Sequence, residues 1–166
     1  MERALDPSRL GDHLDRLYRA AWALCGSRED AEDLVQETYA RILSRPRLLR
    51  NEDDLGYLLR ALRNTFLNKV RSDRRRLAPG PLPEQLDLVA DPRAADPEAA
   101  VDAAGLYAAI AALADDYRDV LVAVDVAGLS YKEAGRALRI PEGTVMSRLY
   151  RARQQVVRRI EGSETG

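Results

Sequence analysis

The sequence predicts an all-α protein: two small helical domains joined by a flexible linker. Three observations point there. Alanine, leucine and arginine dominate, aromatic residues are only 5% of the chain, and no alternating β-branched runs occur that could pair as strands. Apolar residues recur three and four positions apart through most of the chain, which is the helical period. Between residues 78 and 96 that period breaks into an acidic stretch holding Pro79, Gly80, Pro81, Pro83 and Pro92, a composition that resists packing. The expected boundaries are therefore 1–77, 78–96 and 97–166.

The elements follow in order. Leu10, Leu14, Leu17, Ala21 and Leu24 form one helical stripe, and Gly26 ends that helix. Ser27 with Asp30 three residues on resembles a capping box. The helix it opens buries Ala31, Leu34, Val35, Tyr39 and Ile42 and stops at Pro46. A third helix starts near Asp53 and Asp54, whose charge suits a helix N-terminus. Its apolar face is Leu55, Leu58, Leu59, Leu62, Phe66 and Val70, and Arg71, Arg74, Arg75 and Arg76 crowd its end. Beyond residue 96, Leu106, Ile110 and Leu113 mark a fourth helix. Tyr117, Val120, Leu121 and Val124 mark a fifth, ended by Gly128. Ser130 with Glu133 forms another capping box for a short helix, 131–138. A turn over 139–143 leads into a long helix, 143–160.

Charge is distributed in blocks. The net charge of −1 hides eleven basic against four acidic residues over 41–76, two against nine over 84–119, and eight against two over 129–160. Two basic blocks around an acidic middle suit two separate polyanion-binding faces. Other functions lack their residues. His13 is the sole histidine, no Gly-rich phosphate loop exists, and the one cysteine, Cys25, permits no internal disulfide. No enzyme activity, cofactor or metal is expected, and Cys25 is read as a buried, inert thiol. The first ten residues lack a signal-peptide pattern and nothing approaches a membrane span, so a cytoplasmic protein without membrane insertion is expected. With only residues 161–166 after the last helix, no appended C-terminal domain is expected.

The sharpest local signal lies near the end. A capped short helix, a tight turn and a longer basic helix make a helix-turn-helix. In the last helix Val145, Leu149, Ala152 and Val156 share one stripe. Thr144, Ser147, Arg148, Arg151 and Gln155 share another, about 100° away. The first stripe packs; the second offers hydroxyls and guanidiniums to a major groove. Gly135, inside the short helix, costs about 1 kcal/mol relative to alanine and is read as permitting close approach of the next helix.

At these residues a family resemblance enters. LSYKEAGRAL at 129–138 and IPEGTVMSRLYRAR at 140–153 resemble region 4 of the extracytoplasmic-function sigma factors. DAEDLVQET at 30–38 resembles region 2.2 of that family, and YLLRALRN at 57–64 with the arginines of 71–76 resembles regions 2.3 and 2.4. The resemblance covers nearly the whole chain. It implies a subunit that docks on core RNA polymerase, with region 2 on the β′ clamp helices and the minus-10 element and region 4 on the β flap and the minus-35 element. It also implies an anti-sigma factor as partner. Carried over by position, Asp33, Gln36 and Glu37 would meet polymerase. Arg47, Asn51, Arg60, Arg63, Asn64, Arg71, Arg74 and Arg75 would meet minus-10 DNA. Thr144, Ser147, Arg148, Tyr150 and Arg151 would meet minus-35 DNA.

Three positions depart from the family pattern: Tyr57 for tryptophan, Met146 for a basic residue, and Gly135 for alanine. Met146 removes one cation from the recognition helix. An autonomous helix-turn-helix regulator with an N-terminal sensing domain is the alternative, and the acidic 30–38 segment, which such a regulator does not need, speaks against it.

Overall fold

The computed structural model describes residues 3–4, 11–44, 48–49, 54–77 and 97–164. The acidic stretch 78–96, and with it the linker expected there, lies outside the described residues, as do Arg47 and Asn51. Helix α1, Leu14–Cys25, ends at Gly26, whose φ of 76° is left-handed and whose N–H reaches the Trp22 carbonyl at 2.7 Å. Only glycine takes that conformation without strain. Ser27 Oγ then accepts the Asp30 N–H at 3.4 Å and starts α2, Arg28–Ser44. Helix α3 spans Asp54–Leu77. Thr38 and Thr65, both buried, donate back to the Leu34 and Ala61 carbonyls at 2.7 and 2.8 Å, so neither hydroxyl is left unsatisfied. Among the described residues the strands form one small antiparallel ladder. In it β1, Arg3–Ala4, pairs with β2, Leu48–Leu49.

Helix α4, Pro97–Ala111, opens on a proline, which suits a first helical position because its missing N–H would be unpaired there. Its predicted face is only partly right. Ile110 and Leu113 are buried, but Leu113 follows the helix and Leu106 is 41% exposed. Tyr107 turns inward instead, its ring 4.2 Å from that of Trp22 on α1. Helix α5, Asp115–Leu121, does not run on as an α-helix to Gly128. It widens into a π turn at Val122–Val126, where the Ala127 N–H reaches back five residues to the Val122 carbonyl at 2.8 Å. Gly128, φ 82°, then breaks the helix as expected.

The helix-turn-helix forms as predicted. Helix α6, Tyr131–Leu138, carries the full capping box: Glu133 N–H donates to Ser130 Oγ at 3.0 Å, and Ser130 N–H to Glu133 Oε1 at 2.8 Å. Arg139, left-handed at φ 59°, turns the chain into α7, Glu142–Glu164. A Cβ on Gly135 would sit 2.9 Å from the Ile140 carbonyl oxygen, so the glycine is what lets the turn fold back onto α6. Val145, Leu149, Ala152 and Val156 are all buried.

The helices form two groups, α1–α3 and α4–α7, but their cores are continuous. Helix α1 is the reason. Ala20, Ala21, Trp22, Ala23 and Leu24 are buried in succession, which one amphipathic stripe cannot do. One side of α1 packs on α2 and α3, the other on α4 and the π turn. Among the described residues no helix is long and apolar enough to cross a membrane.

Candidate nucleic-acid interface

Helices α2 and α3 leave a cleft of about 480 Å³ between them, lined by Arg41, Ser44, Tyr57, Arg60, Asn64 and Thr65 among others. Tyr57 is buried and forms its apolar wall, a role the tryptophan of the family pattern would also fill. Arg60 and Asn64, one helical turn apart, face the same opening as Arg41. Two cations and an amide around a concave wall can hold a phosphate and hydrogen-bond a base edge together. Sequence reasoning misses Arg41: its basic charge is visible, but its place on the cleft depends on how α2 crosses α3. Arg71, Arg74 and Arg75 are exposed along the end of α3.

Arg63 goes elsewhere. Its Nε donates to Asp119 Oδ2 on α5. Asp119 and its neighbour Arg118 are both buried, and Arg118 lies 5.0 Å from the centre of the Phe66 ring on α3. Burial pushes the Asp119 carboxyl above its ordinary range, against the pull of Arg63 and Arg118. No sequence signal marks this cluster. Both charges sit off the apolar stripe of α5 and look solvent-facing until α3 covers them.

Asp33 and Gln36 are exposed on α2, and Glu37 beside them is half-exposed and pairs with Arg41 at 3.0 Å. The three share the face opposite Ala31, Leu34, Val35 and Thr38, which are buried. Cys25 is partly buried at the end of α1; burial first, then Asp30, pushes its thiol up to about 12, with Lys69 and Arg118 opposing.

On α7, Ser147, Tyr150 and Arg151 are exposed, Tyr150 at 66%. Thr144 and Arg148 are half-buried, and Arg148 stands 3.9 Å from Asp116. Met146 projects outward with them, 52% exposed. Arg153, also part of the quoted motif, has a structural role the sequence does not disclose. It grips both oxygens of Asp125 at 2.8 and 2.9 Å, tying α7 to the π turn. That charged partner raises the guanidinium pKa further.

Known proteins share this arrangement. Residues 10–76 match the family described as sigma-70 region 2, and residues 104–156 match sigma-70, region 4. The chain is 40% identical over 150 residues to the ECF RNA polymerase sigma factor SigE of Mycolicibacterium smegmatis, across 87% of this chain and 57% of that protein. It therefore spans less than two thirds of that relative. It is 31% identical over 156 residues to the ECF RNA polymerase sigma factor SigL of Mycobacterium tuberculosis, across 91% of this chain and 86% of that one. Its fold resembles the sigma factor RpoE of Bartonella quintana, solved with the anti-sigma factor NepR. The TM-score is 0.73 at 24% identity, covering 93% of this chain and 95% of RpoE. CnrH, solved with the cytosolic domain of CnrY, gives 0.62 at 18% identity, covering 93% and 86%. Two sigma-70 regions in this order, on a chain of this likeness, mean that it belongs to the ECF RNA polymerase sigma factors.

Proposed function

We propose that this chain is the promoter-specificity subunit of a bacterial RNA polymerase, acting in the cytoplasm and without catalysis of its own. The observation that carries the reading is the pairing, on one chain, of the α2–α3 cleft with the capped α6–α7 helix-turn-helix. Residues 1–77 would serve as the region 2 unit, 97–166 as the region 4 unit, and 78–96 as the connection between them.

In region 2, Asn64 would hydrogen-bond an unpaired minus-10 base in the cleft while Arg60 and Arg41 hold its phosphates. Arg71, Arg74 and Arg75 would take the flanking phosphates, with Arg47 and Asn51 closing from the preceding loop. Such a site stabilises opened strands by binding them, and strand separation follows from that preference. In region 4, α7 would enter the major groove. Arg151 has the fork to read a guanine edge, Ser147 and Thr144 can bond phosphates or bases, and Arg148 and Tyr150 flank them. Asp33, Gln36 and Glu37 would meet a basic coiled coil of the polymerase β′ subunit, and the region 4 unit its β flap. RpoE is solved with an anti-sigma factor and CnrH with the cytosolic domain of CnrY, which supports an anti-sigma factor for this chain too.

The test is size-exclusion chromatography of the chain with core RNA polymerase. Near-stoichiometric co-elution is expected, and its absence with a well-folded chain would refute the reading in favour of an autonomous regulator. Asp33→Arg with Gln36→Ala should weaken polymerase affinity at least tenfold. Unchanged affinity would remove these residues from the polymerase contact.

A further inference from the structure

Helix α7 turns a narrow strip of small and polar residues away from the core. At about 100° per residue, the direction opposite the buried Val145, Leu149, Ala152 and Val156 is held by Gly143, Ser147 and Gln154, all exposed. The first two are small, and a Cβ added at Gly143 would meet nothing within 4 Å. The start of the helix can therefore sit deep in a groove, which brings the side chains flanking this strip down to the base edges.

The two flanks differ in chemistry. On one stand Thr144 and Arg148, both half-buried, with Arg148 3.9 Å from Asp116. On the other stand Met146, 52% exposed, and Tyr150, 66% exposed, one helical turn apart. The next cation along that second flank, Arg153, donates from Nε and a terminal nitrogen to both oxygens of Asp125. Its charge is matched within the protein. This flank thus offers a thioether and a phenol ring at the positions nearest the helix start.

An apolar side chain left in water gains when a partner covers it, and phosphates and guanine edges cannot cover a thioether. The one methyl group in a B-DNA major groove is the C5-methyl of thymine. It lies toward the backbone of its own strand, at the side of the groove floor, where the flank of a deeply seated helix comes down.

We propose that Met146 is a specificity-determining residue: its side chain packs on the C5-methyl of a thymine in the minus-35 element and selects that base there. The proposal rests on the sigma-factor reading and adds what one side chain of α7 reads. An arginine at this position would favour guanine or a phosphate instead, so methionine changes the preferred base as well as the charge.

The test uses the chain assembled with core polymerase and a pool of promoter duplexes randomised across the minus-35 element. Wild type should enrich thymine at a position where Met146→Arg does not. In the best selected duplex each minus-35 thymine is then replaced in turn by deoxyuridine, which removes the methyl and keeps every hydrogen bond. At one thymine this should weaken wild-type binding about fourfold, the value of one buried methyl group. Met146→Ala should bind the thymine and uracil duplexes equally, whereas Tyr150→Ala should keep the fourfold difference. Met146 is exposed, so Met146→Ala should melt as wild type does. If no uracil weakens wild-type binding, or if the penalty survives in Met146→Ala, Met146 does not read thymine and the sigma-factor reading stands. If wild type with core polymerase enriches no duplex, the reading and the assignment fall together.

Discussion

Arg63 and Asn64 are neighbours in sequence, yet α3 sends them to different places, one to Asp119 and one to the α2–α3 cleft. A step of about 100° per residue on a helix does this, and no single-sequence pattern says which side another group of helices will cover. The cleft residues Arg60 and Asn64 are legible because motif and helical phase agree on them. Arg63 is legible only as a cation. Cys25 is legible as an inert thiol, since an apolar stripe at a helix end predicts burial and burial suppresses the thiolate. Its inertness has a measurable consequence. The thiol's pKa is raised from 9.0 to about 12 on folding, so the folded state binds the proton more tightly than the unfolded one. Its contribution to stability is intact below pH 9 and falls by about 1.4 kcal/mol per unit as pH rises above that. Denaturant melts between pH 9 and 10 should show this slope, and Cys25→Ala should flatten it. An identical slope in the variant would assign the effect elsewhere. Tyr39 and Tyr107 are also raised by burial, from 10.0, so they add to the slope toward the upper end of this window, and the Cys25→Ala difference isolates the thiol.

Helix ends are the most readable elements, because a cap is a local event. Gly26, Gly128 and the Ser130–Glu133 box all act where the sequence puts them. Faces are less readable. Spacing places Leu106 on the buried side of α4, but that side is chosen by Trp22 and Tyr107 meeting across α1. The π turn is invisible in sequence, since Val122–Val126 reads as an ordinary apolar run. The capping box supports the best testable statement at this scale. Ser130→Ala removes the acceptor of the Glu133 N–H and should cost about 1 kcal/mol, or roughly 2–4 °C in the melting temperature of a chain this size. Thermal unfolding by circular dichroism measures it. Because α6 sets the angle of α7, minus-35 binding should fall as well, and polymerase affinity should not.

For the whole molecule the predicted all-α class is right, and the two groups of helices share one core. An all-α chain with two basic blocks is what the structure has, but Trp22 and Ala23, off the predicted α1 stripe, belong to a second buried face that joins the two groups of helices. An unexplained tryptophan beside the predicted stripe, of which Leu17, Ala21 and Leu24 are buried but Leu14 is 46% exposed, is the available signal. The pairing of Arg63 with Asp119 should affect binding. With Arg63 occupied, the free chain should show a shallower fall of DNA affinity with salt than the polymerase complex does. Each additional phosphate neutralised adds about 0.9 to the slope of log affinity against log salt. Met146→Arg, which restores a cation to the exposed face of α7, should steepen the slope of the complex by about one. Fluorescence anisotropy on a duplex minus-35 site over a salt series reads both. Equal slopes for free chain and complex would argue against a masked cation.

The π turn has one more implication, and it concerns phase. Asp119, before it, holds Arg63 on the first group of helices; Asp125, within it, holds Arg153 on α7. The widened turn sets the rotation between these two carboxylates. Deleting one residue there would rewind it to an ordinary helical turn and rotate one carboxylate about 100° relative to the other, so only one grip could survive. The five residues thus set the phase between the Arg63–Asp119 and Arg153–Asp125 ion pairs.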